Sequence, residues 1–260
     1  ATKRMAKNFS WLLFGNIIAG VFSFILTVYV ARVLGAAAYG LYQFAYAFFI
    51  YLLWFVDSGL SMFGMREIAR DRDNASAIAV NIYSLRLVLA STIYLGSLIA
   101  LFILPIPAEM RLLFASTFLL LFFFAFNIEW VFIGLEKMEY IAAAKVITAA
   151  LTLAVMLWLV RSPADLISVP LVRFATGMII SALFLFVMFR RFLKFNLSAV
   201  SFSVWTYYLA CAVPLGASAI LGQIYNNMDT IFLGFMDKPA VVGYYSAAYQ
   251  IYYILAGVFA

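Results

Sequence analysis

Eight predominantly apolar stretches, most of them twenty residues or longer, follow one another along this sequence with only short polar punctuation between them. At about 1.5 Å of rise per residue, each has the length to cross a hydrocarbon core of about 30 Å once as a helix. Lipid cannot hydrogen-bond a bare peptide group, so a spanning segment must be a helix or belong to a closed barrel. The runs lack the period-two alternation of barrel strands, which selects helices. Composition agrees: 67% of the 260 residues are hydrophobic and only 11% are charged, too few to cover the surface of a soluble domain of this size. The expected fold class is an all-α integral membrane protein.

The expected spans are residues 9–30, 39–62, 78–104, 111–133, 140–160, 167–189 and 204–235, with an eighth starting near 241. The first is too long for the apolar core of a secretory signal, about 7–15 residues, and reads as a retained helix. With the amino terminus in the cytoplasm, ten loop cations fall inside (Lys3, Arg4, Lys7, Arg66, Arg70, Arg72, Lys137, Arg190, Arg191 and Lys194) and four outside. That bias sets the orientation and accounts for the net charge of +6, leaving no continuous basic face for nucleic acid. Histidine is absent and Cys211 is the one cysteine, so no disulfide framework, metal cluster or histidine base is expected, and no cofactor.

An internal repeat joins the two ends of the chain. Gly40, Tyr42, Ala45 and Tyr46 recur in the same spacing as Gly243, Tyr245, Ala248 and Tyr249, and Leu34-Gly35 recurs as Leu233-Gly234. One hairpin therefore opens two halves, the organisation of a transporter built from repeats. The expected division is a six-helix lobe at 1–195 and the start of a second lobe at 196–260, holding helices seven and eight. The apolar run is still open at Ala260, which predicts a fragment of a chain of roughly four hundred residues or more.

Charged groups within spans cost about 2.5–3.5 kcal/mol each at a helix centre and need a reason. Asp57 and Arg86 lie at similar depth on neighbouring spans, as do Glu129 and Lys145. Both couples read as structural ion pairs; Arg86 also reads as an anchor for substrate phosphate, since a guanidinium fork matches phosphate oxygens. Arg173 has no acid three or four residues away and reads either as a snorkelling cation or as a cavity group. Asp229 reads as a helix-end pin or a coupling-ion ligand. Asn16, Gly20, Ser23 and Thr27 share one face of the first helix, and Gln223, Asn227 and Thr230 one face of the seventh. Such stripes serve either helix packing or a wet wall that recognises sugar hydroxyls.

Several stretches together resemble the polysaccharide-exporter branch of the MOP flippase superfamily. They are Ala31-Arg32-Val33-Leu34-Gly35 with Tyr39-Gly40, Asp57-Ser58-Gly59-Leu60 leading to Arg66-Glu67-Ile68-Ala69-Arg70, Trp130 to Met138, and Asp229 to Gly234 with Val242-Gly243-Tyr244-Tyr245. The resemblance implies a MOP/MATE-like bundle: here one six-helix lobe plus the first hairpin of a second, around a cavity lined largely by the first hairpin of each lobe. It also implies alternating-access flipping of an undecaprenyl-pyrophosphate-linked oligosaccharide across a bacterial or archaeal cytoplasmic membrane. Polysaccharide polymerases or glycosyltransferases would be its partners, beside membrane lipid. A cation-coupled drug exporter of the MATE branch is the alternative, although the acids that such an exporter needs look engaged with Arg or Lys. A membrane-embedded glycosyl- or acyltransferase would need a catalytic base and a sizeable polar loop, and no catalytic residues are expected.

Overall fold

The computed structural model describes the backbone of residues 2–194 and 199–259, and the side chains of 7–194, 199–217, 222 and 227–249. Among the described residues the chain is helical, with no strand: α1 (Thr2–Asp57), α2 (Leu60–Arg70), α3 (Ala75–Ile103), α4 (Ala108–Phe118), α5 (Leu120–Ala125), α6 (Glu129–Gly134), α7 (Met138–Leu159), α8 (Ser168–Arg191), α9 (Phe202–Met236) and α10 (Pro239–Phe259). A short 3-10 helix, Pro163–Ile167, leads into α8 behind a Ser162–Asp165 capping box.

The stretch α1 is two helices that meet at a reversal. Gly35 has φ 72° and ψ 167°, a conformation that only glycine adopts without strain. Were α1 straight, Ser23 and Tyr46 would stand about 35 Å apart. Instead they line one cavity, and Leu26, Val30, Tyr39 and Tyr42 share one core cluster. The hairpin expected from the sequence is therefore present, turned at a single residue rather than over 31–38.

Among the described residues five segments are long and apolar enough to cross a membrane, and the first of them, Lys7–Arg70, folds back at Gly35 and so contains two crossings. The protein is thus a multi-pass membrane protein. The two halves of α1 find different partners. The first runs parallel to α7: Gly15 lies against Ala142, and the Tyr29 hydroxyl donates to the Val160 carbonyl at 2.7 Å. The second lies antiparallel to α9, with Phe44 against Gly234 near one end and Gly59 against Gly216 near the other.

Two expected spans end or break differently. The second ends at Asp57, where Ser58 and Gly59 both take positive φ, and the chain restarts as α2. Residues expected in a charged loop, Met65 to Arg70, belong to α2, which buries Leu60, Phe63, Gly64 and Ile68 against α6 and α9 and keeps its charges outward. The fourth span is three short helices, interrupted at 126–128. The peptide groups freed there find partners: Tyr83 Oη donates to the Asn127 carbonyl at 3.2 Å, and Asn127 Oδ1 accepts from the Glu129 amide at 2.7 Å. Non-helical backbone at membrane depth is tolerated where it is buried in protein or lines a cavity, and here it does both.

The connections sort to two ends. At the basic end Arg72 pairs with Glu136 at 3.3 Å, Ser76 donates to the Lys194 carbonyl, and Asn81 Nδ2 donates to the Ala199 carbonyl at 2.7 Å. The turn there, 71–74, is closed by Asp71, which accepts from the Asn74 side chain at 2.6 Å and its amide at 3.1 Å. These bonds, the Asn74 side chain first, hold the Asp71 carboxyl below its ordinary value. A lowered folded-state pKa gives stability that is present above the unfolded value and lost as pH falls through the folded one. Protection of the 71–74 amides, taken relative to the intrinsic exchange rate at each pH, is therefore expected to fall on acidification below the ordinary carboxylate range, and to fall already at neutral pH in Asn74→Ala.

At the opposite end α1 meets α10. A Cβ on Gly40 would fall on the Pro239 carbonyl and 2.8 Å from the Gly243 nitrogen; a Cβ on Gly243 would fall on the Ala36 carbonyl. Gly40 and Gly243 are equivalent in the repeat, and Ala36 and Pro239 precede them by one helical turn. Each glycine thus meets the residue one turn before the other, the self-complementary pattern of a two-fold contact.

Candidate functional site

A polar cavity of about 410 Å³ lies within the first six spans. Both halves of α1 contribute, Ser23 and Thr27 from the first and Tyr46 from the second. The helix break supplies Asn127 and Glu129, α7 supplies Lys145, Thr148 and Thr152, and α8 supplies Arg173 and Ser181. Of the residues expected from the sequence, Asn16, Ser23, Thr27, Glu129, Lys145 and Arg173 are gathered in and around this one space.

Its charges are unevenly engaged. Lys145 Nζ stands 3.5 Å from Glu129 Oε1 and donates to Asn16 Oδ1 at 3.2 Å. Arg173 is different. Its guanidinium lies over the rings of Tyr42 and Tyr46, with the central carbon 5.8 and 6.0 Å from their centroids. Its Nε is buried without a hydrogen-bond partner, and among the described residues no carboxylate pairs with it. Two cations and one carboxylate leave the cavity net positive, and the aromatic faces offset Arg173 by only a kcal/mol or so each, about 0.5–2. Thr152 and Thr176 bond each other at 2.8 Å, and Thr176 also bonds back to the Val172 carbonyl at 2.7 Å, fixing α7 against α8 behind the cavity.

Asp57 and Arg86 belong to a second, smaller cavity of about 290 Å³, which shares Tyr46 and Asn127 with the first. Arg86 is 1% exposed. Its Nη2 donates to Asp57 Oδ1 and to Ser61 Oγ, Ser61 bonds the same carboxylate oxygen at 2.8 Å, and the Trp130 ring lies under the guanidinium at 5.6 Å. Nε and Nη1 have no partner.

The candidates of the second hairpin are dispersed. Asp229 accepts from the Tyr245 hydroxyl and from the Thr230 amide, which ties α9 to α10. Asn227 is half-buried on α9, and the Gln223 side chain lies outside the described residues. Between α1 and α10 a cleft of about 310 Å³ is lined mainly by apolar groups such as Phe24, Val28, Ala31 and Ala247. Among the described residues, then, the polar space lies inside the first lobe rather than between the two hairpins.

Asn127, Thr148, Thr152 and Ser181 are wall residues that the sequence reading passed over. Lys145, Thr148 and Thr152 do form a helical stripe, at i, i+3 and i+7, as informative as the one on the first helix. Asn127 carried no such signal.

The repeated hairpin, the broken helix and the polar cavity beside it belong to one helical fold. Two solved structures share it. One is an outward-facing multidrug resistance MATE family transporter of the MOP superfamily, with TM-score 0.68, 18% identity, and coverage of 98% of this chain and 62% of that one. The other is a MATE protein in complex with Br-NRF, with TM-score 0.67, 19% identity, and coverage of 97% and 64%. The chain thus spans less than two thirds of either structure's length. No curated protein is significantly similar in sequence. Residues 5–260 match the family described as polysaccharide biosynthesis protein, and the chain belongs to that family.

Proposed function

We propose that this chain forms the first lobe, and the opening hairpin of the second, of a flippase. The flippase carries an undecaprenyl-pyrophosphate-linked oligosaccharide across the cytoplasmic membrane of a bacterium or archaeon by alternating access. The observation that carries the reading is the net-positive cavity whose wall carries the Ser23, Thr27, Thr148 and Ser181 hydroxyls, with Arg173 Nε buried and without a partner. Sugar hydroxyls match Ser and Thr walls, and an anionic group on the cargo would supply the acceptors that Arg173 lacks. The amino terminus faces the cytoplasm, as the loop cations favour, and the enzymes that build or polymerise the glycan are its partners. The protein moves its cargo without altering it.

A multidrug exporter of the related branch shares the fold, but a cavity for cationic drugs needs a free carboxylate. Here Glu129 faces Lys145 and Asp57 faces Arg86, so both acids are engaged.

The test is outward movement of a fluorescent lipid-linked oligosaccharide in proteoliposomes of the full-length protein. A charge-assisted hydrogen bond contributes about 1.5–3 kcal/mol, so Arg173→Ala is expected to slow movement by roughly tenfold to a hundredfold, with Lys recovering part. An unchanged rate in a normally inserted Arg173→Ala protein overturns the reading. So does wild-type protein that exports ethidium and leaves the glycolipid in place.

A further inference from the structure

A fourth space lies on the outside of the bundle and shares no wall residue with the three described above. Between α3 and α8 a lateral cleft of about 650 Å³ is lined by Val80, Leu87, Phe126, Leu185, Phe186 and Phe189, and it ends at Arg190. Leu87 and Phe186 are exposed, so the cleft opens sideways from the membrane-spanning surface. The Tyr83 hydroxyl, also on its wall, is already committed to the Asn127 carbonyl. The cleft therefore offers an apolar channel with a cation at one end.

That cation is placed at the level of the membrane interface. Arg190 lies in the last turn of α8, beside Arg191 and close to Lys194, at the basic end of the bundle. Among the described residues no carboxylate pairs with Arg190. From Val80 to Leu87 the channel follows α3 for about 10 Å, a third of the hydrocarbon thickness. Its depth suits the upper part of one acyl chain, and its charge suits a phosphate at the mouth.

We propose that this cleft is a binding site for an anionic phospholipid of the surrounding bilayer, with one acyl chain between α3 and α8 and the headgroup phosphate on Arg190. An anionic headgroup near a basic side chain at the membrane surface gains about 1 kcal/mol, which is about fivefold in affinity. The site stands apart from whatever the carrier moves, so it holds or fails independently of the flippase reading.

The test uses delipidated full-length protein and measures retention of phosphatidylglycerol against phosphatidylcholine by native mass spectrometry. Phosphatidylglycerol is expected to be retained about fivefold more tightly, and Arg190→Gln to remove that preference. Leu87→Trp, which fills the channel, is expected to weaken both lipids. Arg161→Gln, at the opposite end of the bundle, is expected to change neither. Equal retention of the two lipids by the unaltered protein overturns the proposal, as does a preference that survives Arg190→Gln. A photo-crosslinker at Leu87 that captures a protein segment instead of lipid also overturns it.

Discussion

Asp57→Ala is expected to destabilise the folded protein by about 3–5 kcal/mol, because it leaves the Arg86 guanidinium charged, buried and unpaired. Arg86 is 1% exposed and already has two nitrogens without a partner. Asp57 supplies the one carboxylate it touches, and Ser61 bridges the two. The cost should fall toward the lower bound, because the Asp57 side chain is 25% exposed and water can reach the site from that side. Replacing both partners together is the informative contrast. Asp57→Leu with Arg86→Met removes the desolvation cost along with the attraction, and such exchanges of buried pairs are often neutral or stabilising. Denaturant unfolding in detergent, run as a double-mutant cycle, should show the single variants well below the double. A loss under 1 kcal/mol in Asp57→Ala would mean that Arg86 draws its compensation from Trp130 and water instead.

The spans were legible because lipid leaves an apolar run few alternatives. A segment such as 78–104 must hydrogen-bond its own backbone, and α3, Ala75–Ile103, follows with its ends moved by a few residues. The stripe of Asn16, Ser23 and Thr27 was legible for the same reason, since a helix fixes which residues share a face. What stayed hidden depends on how one helix meets another. The break at 126–128 follows the unbroken apolar run from Phe118, and its stability comes from Tyr83 on α3 and from its own Asn127 cap. The reversal at one residue, Gly35, was hidden too, because Ala36-Ala37-Ala38 allow the second helix to start at once where a loop was expected. Arg173 was visible as a lone cation, but only the packing of α1 on α8 shows that Tyr42 and Tyr46 flank it inside a cavity.

Gly40→Leu is expected to part α1 from α10. The site has no room for any side chain, because the obstacle is the Pro239 carbonyl, a backbone group in α10 that cannot turn aside. Overpacking of this kind costs about 1–3 kcal/mol, so the closed contact should lose between about fivefold and a hundredfold in population. The two-fold pattern makes a sharper demand: Gly243→Leu meets the Ala36 carbonyl and should act in the same direction. Gly20→Leu is the control, since a Cβ at Gly20 has nothing within 4 Å. Cys211 is the only cysteine, so a Cys211→Ser background permits a single reporter at Ala247→Cys, on the wall of the α1–α10 cleft. Its reaction with a membrane-impermeant maleimide should quicken in Gly40→Leu and in Gly243→Leu, and stay at the parent rate in Gly20→Leu. If the two variants diverge, the contact is not two-fold in energy, and the hairpins do not close on each other as equivalent halves. If both leave the reporter as slow as before, the glycines are not what holds that end shut, and closure must be sought where Phe44 meets Gly234.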